Sequence, residues 1–108
     1  MGIHFSGGLG FLYVKEMDQP IAKVNYQLIE TDPTKYTKKK WWGELSANKE
    51  IKSANEVGTH VVEFEDGRKG VCVVWANTEA KRGRSSHYYY HFNGRSNLGR
   101  NSRSRGKE

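Results

Sequence analysis

The amino-acid sequence predicts an all-β protein: a small five- or six-stranded antiparallel barrel, SH3-like or OB-like, with an antiparallel sandwich as the second architecture. Three observations predict it. Apolar and polar residues alternate with a period of two in several short runs. An Asp-Gly pair separates two runs of β-branched and aromatic residues, the signature of a tight hairpin. No segment carries enough large apolar residues at helical spacing to form a core-packed helix. A flat sheet of such short strands would expose an apolar face and two edges, and closing it into a barrel removes both.

With 108 residues the chain has room for one hydrophobic core and therefore one domain. Residues 1–10 contain Gly2, Gly7, Gly8 and Gly10 among Ile3, Phe5 and Leu9 and read as a flexible, loosely attached arm. The domain proper is expected over residues 11–94. FLYVKE, residues 11–16, forms a short first strand, and Pro20 ends what precedes it. In residues 21–31, Val24, Tyr26 and Leu28 fall on one side and Lys23, Asn25 and Gln27 on the other, the pattern of a half-buried strand. Asp32 and Pro33 begin a turn, and a polar stretch leads to WWGELSA, residues 41–47, where Trp41 and Leu45 lie opposite Trp42 and Glu44. Residues 48–58 have only Ile51 and Val57 as larger apolar side chains, which fits a loop or a single helical turn.

The hairpin THVVEFEDGRKGVCVVWAN is the clearest feature. With Asp66 and Gly67 as a two-residue turn, Val62 faces Val71 and His60 faces Val73. Val62, Phe64, Val71, Val73 and Trp75 then form the core face, with Cys72 and Val74 on the opposite one. A longer turn shifts the register and exchanges the faces. A polar, basic loop leads to the last strand, HYYYHF at residues 87–92. Beyond it Leu98 is the one sizeable apolar residue, so residues 95–108 are expected to be a disordered basic tail.

Charge is unevenly distributed. The net formal charge is +6, yet Lys81, Arg82, Arg84, Arg95, Arg100, Arg103, Arg105 and Lys107 face the single acid Glu108 after residue 80, leaving residues 1–80 at −1. A basic segment of this kind attracts polyanions through a salt-sensitive field that specifies none of them. The single cysteine, Cys72, excludes an internal disulfide framework, and a free thiol with abundant lysine fits a reducing compartment. With no signal-peptide pattern and no stretch approaching the roughly 20 apolar residues of a membrane span, a cytoplasmic protein without membrane partners is expected.

The residues that point to a function combine cations with aromatics. Lys38, Lys39 and Lys40 run directly into Trp41 and Trp42, and Lys81, Arg82 and Arg84 precede Tyr88, Tyr89 and Tyr90. Single-stranded nucleic acid is held by this combination, cations following the phosphates and aromatic faces stacking on the bases. Alternation sends about half of these aromatics into the core, and Trp42 and Tyr89 are the members expected to face outward. In the tail, Arg95, Arg100, Arg103 and Arg105, spaced by Ser, Gly and Asn, are suited to phosphates without sequence discrimination, or simply to keeping the chain soluble. The expected partner is RNA or single-stranded DNA, since no recognition helix for duplex is visible. The alternative is a protein-interaction module whose tail docks on an acidic protein surface.

Other chemistry has weaker support. His87 and His91 are four apart, which in a strand separates their Cα atoms by roughly 13 Å, too far to share one ion readily. Without a CxxC or HxH pattern no metal or other cofactor is expected. The register above places Cys72 and His60 on opposite faces, so no nucleophile meets a base. SGGLG lacks the lysine and following helix of a phosphate-binding loop, and no catalytic residues are assigned.

Overall fold

The computed structural model describes residues 2–54, 58–77 and 87–100. Strands β1 (Ile3–Val14), β2 (Ala22–Thr31), β3 (Trp41–Ala47), β4 (Gly58–Glu63), β5 (Arg68–Ala76) and β6 (Tyr88–Gly94) pair in the order β4-β1-β2-β3-β6-β5. A further β4–β5 pairing closes the sheet into a six-stranded barrel, antiparallel at every pair. A two-residue strand β7 (Gly99–Arg100) adds to β5. Helical structure among the described residues is one 3-10 turn, Lys52–Ala54.

Alternation dictates what enters the barrel. Val24, Tyr26 and Leu28 from β2, Trp41 and Leu45 from β3, Val62 from β4, Cys72 and Val74 from β5, and Tyr90 and Phe92 from β6 point inward with Leu12 and Phe64. Tyr26, Trp41, Phe64 and Phe92 form one aromatic cluster, with ring centroids 4.7–6.1 Å apart and mostly edge-on or tilted, as the ring quadrupoles favour. The hydroxyls of the two inward tyrosines find partners at the ends of the barrel. Tyr26 accepts from the Glu65 N–H (3.0 Å), and Tyr90 accepts from the Ile51 N–H (2.8 Å), pinning the β3–β4 connection whose Ile51 and Ala54 join the core.

The hairpin register differs by one residue from the sequence expectation. Val62 pairs with Gly70, Val61 with Val71 and His60 with Cys72. The cause is the turn: Gly67 N–H bonds the Phe64 carbonyl (2.9 Å) and Phe64 N–H bonds the Arg68 carbonyl (2.8 Å), so three residues, Glu65, Asp66 and Gly67, make the loop. Gly67 has φ 94°, the left-handed residue that forms a bulge after a type I turn. The slip moves Val71, Val73 and Trp75 off the core face and brings Cys72 and Val74 onto it. Gly67→Ala is expected to cost about 1–2 kcal/mol, the penalty of a Cβ in left-handed backbone, with Gly67→Asn costing less; urea denaturation of the two variants checks both values.

Two boundaries also differ. Residues 3–10, expected as a loose arm, belong to β1 and pair with β2 from Ile3↔Thr31 onward. Backbone pairing needs no large side chains, and the glycines are required for close approach: a Cβ on Gly10 would strike the Glu63 carbonyl and crowd the Tyr26 ring. Residues 95–100, expected within the tail, are tied down largely by hydrogen bonds, which a count of apolar residues does not register. Arg95 N–H bonds the Val71 carbonyl (2.7 Å), the Ser96 hydroxyl accepts from Val71 N–H (2.9 Å), and Leu98 packs against the core. Residues 101–108 lie outside the described residues.

Candidate nucleic-acid interface

The β2–β3 connection is held closed at its neck and turned at its tip. Thr31 N–H bonds the Lys40 carbonyl (2.9 Å), and the Thr31 hydroxyl accepts from Lys40 N–H (3.1 Å). At the tip, the Thr34 hydroxyl accepts from the N–H groups of Tyr36 and Thr37. Lys38, Lys39 and Lys40 therefore leave the loop as an extended, exposed run entering β3. Facing them is the chain just after β6, clamped to β5 by the bonds of Arg95 and Ser96 and to β3 by Trp41, whose indole N–H donates to the Ser96 carbonyl (2.7 Å).

Between these two segments lies a cleft of about 540 Å³, lined by the three lysines, Trp41, Trp42 and residues 93–97, including Arg95. One of the three lysines also reaches a buried acid. Glu30 is 7% exposed and receives both terminal nitrogens of Arg68 (2.8 and 2.9 Å) and Lys39 Nζ (3.0 Å). The Arg68 hydrogen bonds, outweighing the opposing effect of burial and joined by Lys39, hold the Glu30 carboxyl down to about 2. Lys39 is thus engaged inward. Among the described residues no carboxylate lies within ion-pairing distance of Lys38, Lys40 or Arg95.

The outer barrel face continues from the cleft. Trp42 stands opposite Asn93 of β6, Glu44 opposite His91, and Ser46 opposite Tyr89. Across the next pair, His91 is opposite Trp75, with ring centroids 5.5 Å apart and planes 32° from parallel. The His91 Nδ1 lies 3.8 Å from Glu44. Trp42, the His91–Trp75 pair and Tyr89 therefore form an outward, half-buried aromatic row. Trp42 and Tyr89 are four residues apart along the strand pair, roughly 13 Å.

The structure thus gathers Lys38, Lys39, Lys40, Trp42 and Arg95 at one cleft and sets Tyr89 farther along the same face. Arg100 pairs through its backbone with Arg68. Lys81, Arg82, Arg84, Arg103 and Arg105 lie outside the described residues. Trp75 is the surface aromatic that the sequence reading placed in the core; the signal for it was the Glu-Asp-Gly turn, read as two residues instead of three. Asn93, Gly94, Ser96 and Asn97, the neighbours of Arg95 in the wall, were missed because nothing local marks a chain segment as the wall of a cleft.

The corrected register brings His60 and Cys72 directly opposite one another inside the barrel, 1% and 0% exposed. Burial pushes the Cys72 thiol up to about 12, which keeps it protonated. Desolvation lowers the His60 pKa and favours the neutral ring. Its Nδ1–H donates to the Gly58 carbonyl (3.0 Å), leaving Nε2 to accept from the Ser53 hydroxyl (2.7 Å). Both ring nitrogens are engaged, so the pairing of Cys72 with His60 is one of core neighbours. Among the described residues no three His, Cys, Asp or Glu side chains are grouped to hold a metal ion, and no helix is long and apolar enough to cross a membrane.

Fold and site together define a class: a small closed antiparallel barrel with a basic cleft at the end of an outward aromatic row. Comparison of the chain with protein-family models, curated proteins and solved structures finds no match.

Proposed function

We propose that the barrel binds single-stranded nucleic acid, RNA or single-stranded DNA, with phosphates held at the cleft and bases stacked along the outer face. The observation that carries this reading is the juxtaposition of Lys38, Lys40 and Arg95, none paired with a described carboxylate, around the half-buried ring of Trp42. Cations lining one cleft attract a phosphodiester chain, and the row Trp42, His91–Trp75 and Tyr89 offers successive π-faces. Arg100, Arg103, Arg105, Lys81, Arg82 and Arg84 extend the positive field and add phosphate contacts. Glu44 on the same face disfavours a phosphate beside His91, so the strand's backbone runs along the cleft side of the row.

Three phosphate contacts at the cleft give a slope of about −2 in log affinity against log salt, from about −0.7 per phosphate on single strands. Fluorescence anisotropy with a mixed-sequence single-stranded oligonucleotide, at low and physiological salt, reads this directly. Lys38→Glu combined with Lys40→Glu is expected to flatten the slope by more than one unit, and Trp42→Ala to weaken binding by about 1–3 kcal/mol with the slope unchanged. Binding that ignores the lysine changes overturns the assignment of the cleft.

The second reading, a protein-interaction module, draws on the row Phe5, Ile29 and Trp42, which the strand register aligns on the outer face with Phe5 73% exposed. A partner held there stays bound in salt and is lost with Trp42→Ala, the opposite salt response to the first reading.

A further inference from the structure

Strand β1 is longer than the barrel needs. Its last four residues pair with β4, Phe11↔Glu63 through Val14↔His60, but β4 ends at Glu63 and the chain turns away. Before Phe11, β1 is paired on one side only among the described residues, with β2. The direction of its backbone groups follows from three bonds. The Gly2 carbonyl accepts from Asp32 N–H and the Leu12 carbonyl from Ile21 N–H, so even-numbered residues bond toward β2. Leu9 N–H points the other way, to the Glu65 carboxylate (2.9 Å). Ile3, Phe5 and Gly7 therefore present three N–H and three C=O groups to an open edge.

Sheet edges in soluble proteins are blunted by lysine, proline, a bulge or an inward charge. Residues 3–9 carry none of these. The one ionisable side chain, His4, lies on the other face, bonded to Asp32 (2.9 Å). On the face bearing the odd residues stand Ile3, 59% exposed, Phe5 and Leu9.

We propose that this edge is a homodimer interface, in which residues 3–7 of two copies pair antiparallel about a two-fold axis at Phe5. The segment is self-complementary in that register. Phe5 meets Phe5 of the second copy, Ile3 meets Gly7, and His4 meets Ser6, so no like charges are opposed and ring packs against ring. The six open groups on each copy satisfy one another in six inter-chain hydrogen bonds. The Glu65 carboxylate on Leu9 N–H marks where the pairing stops. An arbitrary strand would have to match the same short apolar segment; a second copy matches it by symmetry. The pairing makes one sheet across two barrels and covers Ile3 and Phe5. It places the two Trp42 side chains on a common face, five strand spacings or about 24 Å apart along the sheet. The inference is independent of what the cleft binds.

Sedimentation equilibrium of the full chain from low to high micromolar concentration tests it, alongside amide exchange by NMR. Dimerisation is expected, and it strengthens with salt because each copy carries +6. Phe5→Lys puts like charges on the axis and is expected to weaken association at least about tenfold. Phe11→Lys, on the same face but at a position already paired with β4, leaves it unchanged. Far-UV circular dichroism checks that both variants fold. The amides of Ile3, Phe5 and Gly7 gain protection as concentration rises, whereas those of His4 and Ser6 are protected throughout. A chain that is monomeric at every concentration, a dimer that Phe5→Lys does not weaken, or edge amides that exchange freely in the dimer each overturn the proposal.

Discussion

Trp41→Ala is expected to destabilise the barrel by about 3–5 kcal/mol, the range for emptying a large aromatic site in a packed core. Trp41 is 3% exposed, packs edge-on to Phe64, and lies so close over Gly70 and Gly94 that a Cβ at either position would collide with its ring. Those glycines leave no side chains that can swing in to fill the void, which places the cost toward the upper end. The loss reaches the cleft as well, because the indole N–H holds the Ser96 carbonyl and with it the wall opposite the lysines. Trp41→Ala is therefore expected to lower both the urea midpoint and oligonucleotide affinity. Trp42→Ala, one residue on and half-buried on the outer face, lowers affinity while costing less than about 1 kcal/mol in stability. Equal stability losses for the two variants contradict the assignment of Trp41 to the core and Trp42 to the surface.

Arg68→Met is expected to cost about 2–3 kcal/mol near neutral pH. Breaking a buried ion pair costs about 3–5 kcal/mol, and the figure is reduced here because Lys39 still reaches Glu30 and the Arg68 side chain is 23% exposed. The pH dependence identifies the cause. Glu30 is held near 2 in the fold against an ordinary value of 4.5, chiefly by the Arg68 hydrogen bonds. A folded pKa below the unfolded one gives stability that is fully present above about pH 4.5 and is lost as pH falls toward 2. The difference between wild type and Arg68→Met should thus be constant above pH 5 and shrink steadily on acidification, as read by urea denaturation at a series of pH values. A difference independent of pH down to 2 assigns the effect to packing of the arginine stem instead. The same substitution leaves Lys39 as the remaining cation on Glu30.

The all-β class and the inward or outward sense of most strands were legible because they depend on local alternation. Val24, Tyr26 and Leu28 against Lys23, Asn25 and Gln27 leave one choice of face, and Trp41 with Leu45 selects itself over Trp42 once one side of the sheet is buried. The cation–aromatic run of Lys38, Lys39, Lys40, Trp41 and Trp42 was likewise visible, since neighbours in sequence remain neighbours in a strand.

Three things were decided by tertiary structure. The register of the β4–β5 hairpin turned on whether Gly67 is the second residue of a two-residue turn or the left-handed residue closing a three-residue one; both are compatible with the letters, and the barrel selects the one that buries Cys72 and Val74 and opens Gly70 beneath Trp41. The order of residues 3–10 rests on backbone pairing with β2, a long-range interaction that leaves almost no trace in hydrophobicity. The cleft itself exists because the Trp41 indole and the Val71 main chain hold residues 95 and 96 opposite lysines more than fifty positions earlier. Alternation is a property of adjacent residues and can be read along the chain; register, edge pairing and the meeting of distant segments depend on which backbone groups find each other in three dimensions.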